Sequence, residues 1–246
     1  MIAALEGVCV DYGGRRALGP FDFQLAAGEI VALVGPSGCG KSTALRLLAG
    51  LEAPGAGTVR RAAGRGETAV VFQAPTLCPW RGAAANVALP LELAGTPARE
   101  RGARAVAALA HVGLAGAERA KPAQLSGGMA MRVALARALV TSPKALLLDE
   151  PFAALDEITR RALADDVLAL WAQRAPGIVF VTHNVEEAVY MAGRVVVMTP
   201  GPGRLAGEIA IAGPAPRPPG FRTSAGFRAA AEQVSDLLAR AMARGA

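Results

Sequence analysis

The run Gly35-Pro36-Ser37-Gly38-Cys39-Gly40-Lys41-Ser42-Thr43 follows the apolar stretch Ile30 to Val34 and opens a segment of helical spacing, Ser42 to Ala49, ended by Gly50. Small residues there let successive backbone N–H groups converge on phosphate oxygens, and a helix N-terminus adds its positive end. Lys41 then reaches the outer phosphates, and the Ser42 hydroxyl suits a Mg²⁺ that bridges them. Without its flanks the run is only a Gly-rich turn; a strand before and a helix after are the context phosphate binding requires. Farther along, Leu146-Leu147-Leu148 ends in Asp149-Glu150-Pro151. A carboxylate at the tip of a buried strand is costly unless a cation meets it, so Asp149 fits a direct or water-mediated Mg²⁺ partner. Glu150 is then placed to polarise a water, although two acids in that position would also serve to cap the next helix. His183 follows the apolar run Ile178 to Thr182, which sets its imidazole at the carboxyl edge of a sheet, where open α/β folds bind ligands. His111 has no such setting and reads as an ordinary helical residue.

Between the Gly-rich loop and the Asp-Glu pair lies Leu125-Ser126-Gly127-Gly128-Met129. With these three motifs in this order, the chain resembles the ATP-binding subunit of an ABC transporter, over about Ala4 to Arg204. The resemblance implies an α/β P-loop NTPase (RecA-like) core with an antiparallel β subdomain and an inserted α-helical subdomain, and ATP with Mg²⁺ as cofactors. It also implies two subunits packed head to tail around two ATPs. Residues 35–43 and His183 would then hold one nucleotide, while Ser126, Gly127 and Gly128 bind the γ-phosphate of the other subunit's ATP. Ser126 at a helix start, followed by two glycines, does expose N–H groups and a hydroxyl to an anion. Asp156 in Ala153-Ala154-Leu155-Asp156 resembles the loop that joins the two sites. Tyr12 stands where the family stacks an aromatic ring on adenine. Gln73 matches the family's loop that senses γ-phosphate and Mg²⁺ and faces the membrane subunit. Two positions depart from the pattern: Ala130-Met131 replaces polar residues after the signature, and Asn184 replaces the common Asp after His183.

These motifs need elements to hold them. Residues 1 to about 28 alternate around Gly13-Gly14 as an antiparallel hairpin, followed by a buried strand, Ile30 to Val34. Ala69 to Phe72, Ala145 to Leu148, Ile178 to Val181 and Val195 to Met198 read as further strands, with a helix around Arg160 to Trp171. Ala, Leu and Arg at helical spacing place the inserted helical subdomain at about 86–139. The expected division is one ABC ATPase domain over 1–213, then a Pro-rich linker and an amphipathic helix over 214–246. Phe227, Ala231, Val234, Leu238 and Met242 mark one face of that helix.

The chain has 246 residues, 52% of them hydrophobic, enough to bury about 70–75% of its unfolded surface. No apolar run reaches the ~20 residues of a membrane helix. No secretory signal is visible, and Cys9, Cys39 and Cys78 form neither a disulfide framework nor a metal-ligand spacing, so a cytosolic compartment is expected. The net charge of +6 is carried by scattered Arg without interleaved aromatic residues, which argues against a nucleic-acid partner. Leu77-Cys78-Pro79-Trp80-Arg81, Asn86 to Leu93, Val185 to Tyr190 and Met198 to Arg204 are similar to importers of nitrate, sulfonates and taurine. The expected protein is an ATP-hydrolysing importer subunit that pairs with a second ATPase subunit and an integral membrane permease. It would sit at the cytoplasmic face of the membrane and be fed indirectly by a solute-binding protein. The alternative is a soluble ABC ATPase acting on nucleic acid or ribosomes, but those carry long coiled coils or two cassettes, and this chain has one cassette and no heptad run. A small-molecule phosphotransferase would have no use for the signature at Ser126.

Overall fold

A computed structural model describes residues 1–64, 66–153 and 155–243. Its centre is a six-stranded sheet built from β3 (Ile30–Val34), β5 (Thr68–Val71), β6 (Ala145–Asp149), β7 (Gly177–Thr182), β8 (Arg194–Met198) and β9 (Leu205–Ala210), in the order β5-β6-β7-β3-β8-β9. All neighbours are parallel except β8 and β9. A second, three-stranded antiparallel sheet joins β1 (Ala3–Tyr12) to β2 (Arg15–Leu25) and β4 (Ala56–Arg61).

The side-chain period of two divides the interior. Ile30, Ala32 and Val34 face one core with Leu146, Leu148, Ile178, Phe180, Val195 and Val197. Val31 and Leu33 face the other, with Leu147, Val179, Val181, Val196 and Met198. Strands buried on both faces explain why β3, β6, β7 and β8 read as unbroken apolar runs. The second core is closed by the small sheet and by α1 (Lys41–Ala49), which starts after Gly40 in a left-handed conformation and ends at Gly50 in another. The first core is closed by α2 (Ala83–Leu93), α3 (Ala98–His111), α4 (Gly127–Leu139), α5 (Glu157–Arg174), α6 (Val185–Met191) and α7 (Ala225–Ala243).

The helical insertion packs α2, α3 and α4 together and begins at Ala83, ahead of the expected Asn86. Asn86 is instead fully buried in the first turn of α2. Its side-chain amide donates to the carbonyls of Cys78, Arg81 and Gly82, and its carbonyl accepts from the Cys78 N–H at 2.7 Å. That residue therefore fixes the 77–81 segment that precedes the helix. At the other end, α7 lies on α6, β8 and β9, with Phe227, Val234 and Ala241 buried. Met242, expected on this seam, is half exposed because the seam steps to Ala241 in the last turn.

Candidate nucleotide site

Parallel strands bring their carboxyl ends to one edge, and three of the expected chemical groups meet there. The segment after β3 carries the Gly-rich loop, β6 ends at Asp149, and β7 ends at Thr182 next to His183. A cleft of about 390 Å³ is lined by Tyr12, Ser37, Lys41, Ser42, Thr43 and Glu150, within the ~300–1,000 Å³ of ligand pockets. A larger cavity of about 750 Å³ opens elsewhere among Arg104, His111, Lys144 and Arg174, but it contains none of the strand-tip groups. Chemistry, not size, selects the first.

Lys41 is the first residue of α1 and is buried, yet its ammonium is satisfied: Nζ donates to the carbonyl oxygens of Gly35 (2.8 Å) and Pro36 (2.9 Å). The cation thus lies inside the bend of its own loop. Burial pushes the Cys39 thiol up, against the pull of Lys41, so Cys39 stays a neutral packing group within the loop. Ser42 Oγ donates to Asp149 Oδ1 across 2.9 Å, joining α1 to the tip of β6. A hydroxyl and a carboxylate are the hard oxygen donors Mg²⁺ takes. Among the described residues no group of three or more His, Cys, Asp or Glu could hold a metal alone. Mg²⁺ typically binds through one or two protein oxygens and completes its shell with phosphates and water, so this pair fits it.

Glu150 follows Asp149 with φ 45°, a left-handed conformation uncommon for a non-glycine residue. Its N–H donates to the Val181 carbonyl at 3.1 Å, and its Oε2 lies 3.3 Å from His183 Nδ1. The carboxylate is one-quarter exposed and the imidazole about two-thirds exposed, so both face open space beside the cleft. Tyr12 is half exposed at the cleft's other side, with its hydroxyl donating to Glu52.

Other expected residues lie apart from this cleft. Gln73 is exposed just beyond β5. Ser126 caps α4, its oxygen accepting from the Met129 N–H at 3.2 Å; Ser126 and Gly127 are exposed, while Gly128 is packed against Thr159. Asp156 caps α5 by accepting from the Thr159 N–H at 3.0 Å. Hydrogen bonding from the Thr159 side chain, and then from this N–H, holds its carboxyl below the usual range. Ala154 of the same motif lies outside the described residues. Of the two departures, Met131 is buried in the core and Asn184 caps α6, accepting from the N–H groups of Glu186 and Glu187. Asn184 therefore keeps a helix-capping role without a charge.

Sequence reasoning missed the support beneath the loop. Gly203 lies against Cys39, where a Cβ would stand 1.8 Å from the Cys39 carbonyl oxygen. Its N–H donates to Ala17 and its carbonyl accepts from Gly19, tying it to β2. The signal was present in Gly201-Pro202-Gly203-Arg204, which marks a subgroup in sequence and a loop buttress in structure. Gly203→Ala should cost about 1–3 kcal/mol by overpacking against backbone. In a chain of this length that is a fall in Tm of about 2–12 °C, with weakened ATP binding. Gly201→Ala, whose Cβ would meet only the Gly38 carbonyl at 3.7 Å, should leave both unchanged. Equal calorimetric melting for Gly203→Ala and wild type would remove the buttress.

A parallel sheet with a glycine-rich phosphate loop, an Asp-Glu strand tip and a histidine at the next strand end defines a P-loop nucleotide hydrolase. The ABC transporter family model matches residues 18–153. The chain is 45% identical over 234 residues to the aliphatic sulfonates import ATP-binding protein SsuB 2 of Pseudomonas savastanoi pv. phaseolicola, spanning 95% of this chain and 82% of that one. It is 41% identical over 212 residues to the taurine import ATP-binding protein of Yersinia pestis bv. Antiqua, spanning 84% and 83%. Among solved structures, a dimeric post-hydrolysis state of the ATP-binding cassette MJ0796 with ADP and Pi superposes with a TM-score of 0.77 at 30% identity. That match covers 86% of this chain and all of that one. The chain belongs to the ABC transporter family.

Proposed function

We propose that this chain is the ATP-hydrolysing subunit of an ABC importer and energises uptake of a small solute of the sulfonate, taurine or nitrate kind. The observation that carries the dimeric part of this reading is the separation of the signature from the cleft. Ser126 and Gly127 are exposed at the start of α4, and the cleft around Lys41 does not include them. Two subunits packed head to tail give each ATP the loop of one chain and the Ser126 segment of the other. ATP then adds contact only in the closed pair, which is the differential affinity a conformational drive needs.

Within each site the loop N–H groups, Lys41 and α1 hold the phosphates, and Ser42 with Asp149 would hold Mg²⁺, which would supply charge neutralisation there. Tyr12 stacks on the base. Glu150 accepts a proton from the attacking water, and His183, 3.3 Å from Glu150, contacts the γ-phosphate. Gln73 senses that phosphate and faces the permease, and Asp156 links the two sites. The cassette spans 1–213, and a Pro-rich linker with an amphipathic helix follows it.

A permease partner is supported by exposed Trp80 and Leu93 and by a groove of about 370 Å³ walled by Leu89, Pro90, Leu93 and Thr76. No helix among the described residues is long and apolar enough to cross a membrane. In this reading the subunit works from the cytoplasmic face through the permease, with a solute-binding protein delivering cargo on the far side. Affinity purification from gently solubilised native membranes tests this. Stoichiometric recovery of a multi-helix permease is the expected result; recovery with ribosomes, DNA or no partner would instead favour the non-transport ABC ATPase.

A further inference from the structure

Beneath His183 lies an ion pair, its carboxylate buried and its guanidinium one-quarter exposed, that the chemistry above does not use. Glu187, on α6, is almost fully buried, and its Oε2 accepts from Thr182 Oγ1 at 2.5 Å. That Thr182 oxygen in turn accepts from the Asn184 N–H at 3.0 Å, so the one carboxylate fixes the backbone on both sides of His183. Its other oxygen, Oε1, lies 3.3 Å from Arg160 Nε. Burial pushes the Glu187 carboxyl up, opposed by the Thr182 hydrogen bond and by Arg160.

Arg160 reaches the opposite way as well. Its Nη2 donates to the Leu155 carbonyl at 2.9 Å and its Nη1 to Glu157 at 3.2 Å. Leu155 immediately precedes Asp156, the residue placed at the subunit junction. Both members of the pair also line a polar void of about 30 Å³ whose walls include Glu150 and His183, so no layer of apolar core separates them from the hydrolytic residues. The Arg160 Nε is buried without an aligned hydrogen-bond acceptor, and the pair meets as charge on charge. A buried carboxylate that loses its cation is strongly disfavoured, so a shift of the Leu155 carbonyl that moves Arg160 favours a matching shift of Glu187.

We propose that Arg160 and Glu187 are positioning residues that tie the Leu155-Asp156 loop to His183 within one subunit, so that subunit closure sets the His183–Glu150 geometry. This rests on the ATPase reading above. It adds a mechanical link inside the chain between the junction loop and the switch histidine, running Leu155, Arg160, Glu187, Thr182, His183.

The test compares ATP hydrolysis by the full chain with that of Glu187→Gln, Arg160→Leu, the double variant and Thr182→Val. Glu187→Gln keeps an acceptor for Thr182 but removes the charge; Thr182→Val keeps shape and removes the hydroxyl. Each single variant should lower kcat about tenfold with KM for ATP within about twofold of wild type. The double variant should be no slower than the worse single one, because the pair acts as a unit. Folded variants with wild-type kcat overturn the proposal, as do singles whose losses multiply in the double. So does a parallel loss of folding in Glu187→Gln and Thr182→Val, which would make the pair purely structural. A wild-type chain without ATPase activity would overturn the function reading instead.

Discussion

Glu150→Gln should lower kcat for ATP hydrolysis by about a hundredfold to ten-thousandfold while leaving ATP binding intact, because general-base catalysis contributes a factor of that size. The amide is nearly isosteric with the carboxylate, so the local fold has no reason to change. The backbone N–H still donates to Val181, and the left-handed conformation at this position is set by the strand end rather than by the side chain. What is lost is an oxygen able to take a proton, 3.3 Å from His183. The phosphate contacts made by Lys41 and the loop remain, so two ATPs still close the pair but are not consumed. The variant should therefore accumulate as a dimer in Mg·ATP. Light scattering checks the mass and a phosphate-release assay the rate. A variant that stays monomeric in saturating Mg·ATP would sink the two-subunit arrangement, and one that hydrolyses within a few fold of wild type would remove Glu150 from the base role.

The legibility of this site in the sequence follows from where its residues stand. Lys41 and Ser42 were readable because their Gly-rich loop follows an apolar run, and Asp149 and His183 because each stands at the end of one; in a parallel sheet such ends converge without knowledge of the packing. β4 and β9 were not anticipated, since both are largely exposed edge strands, Ala-Gly-Thr-Val-Arg-Arg and Leu-Ala-Gly-Glu-Ile-Ala, and neither carries an apolar run. α6 stands out in the sequence as a motif and not as a helix, because its seven residues are too few to display a period. Arg160 and Glu187 lie on different helices, and no spacing in one dimension announces a pair made by tertiary packing. Buried Arg217 is similar: it stands in the Pro-rich segment expected as a linker. Its guanidinium donates to the carbonyls of Tyr190 and Ala192, so that segment is pinned to α6.

Lys41→Ala should cut the stabilisation that ATP confers by about half or more while changing the stability without ATP little. The ammonium is held by the Gly35 and Pro36 carbonyls, neutral acceptors that return only a modest net energy for burying a cation. Removing it costs those hydrogen bonds but also removes the desolvation of the charge, and the two effects offset. With ATP bound the balance differs, since hydrogen bonds to charged groups are worth about 1.5–3 kcal/mol and phosphate is a charged acceptor. Affinity should therefore fall by at least about tenfold to a hundredfold. In wild type, ATP at a hundred times Kd adds about 2.7 kcal/mol to stability. For a chain of this length that is a rise in Tm of about 5–11 °C. At the same ATP concentration the variant should retain about 0.4–1.4 kcal/mol, a rise no more than about half that of wild type. Lys41→Arg should not restore the shift, because a planar fork cannot occupy the bend between two carbonyls that a compact ammonium fills. Differential scanning fluorimetry with and without Mg·ATP decides the matter: a wild-type shift in Lys41→Ala would mean that the loop N–H groups hold the phosphates without the cation.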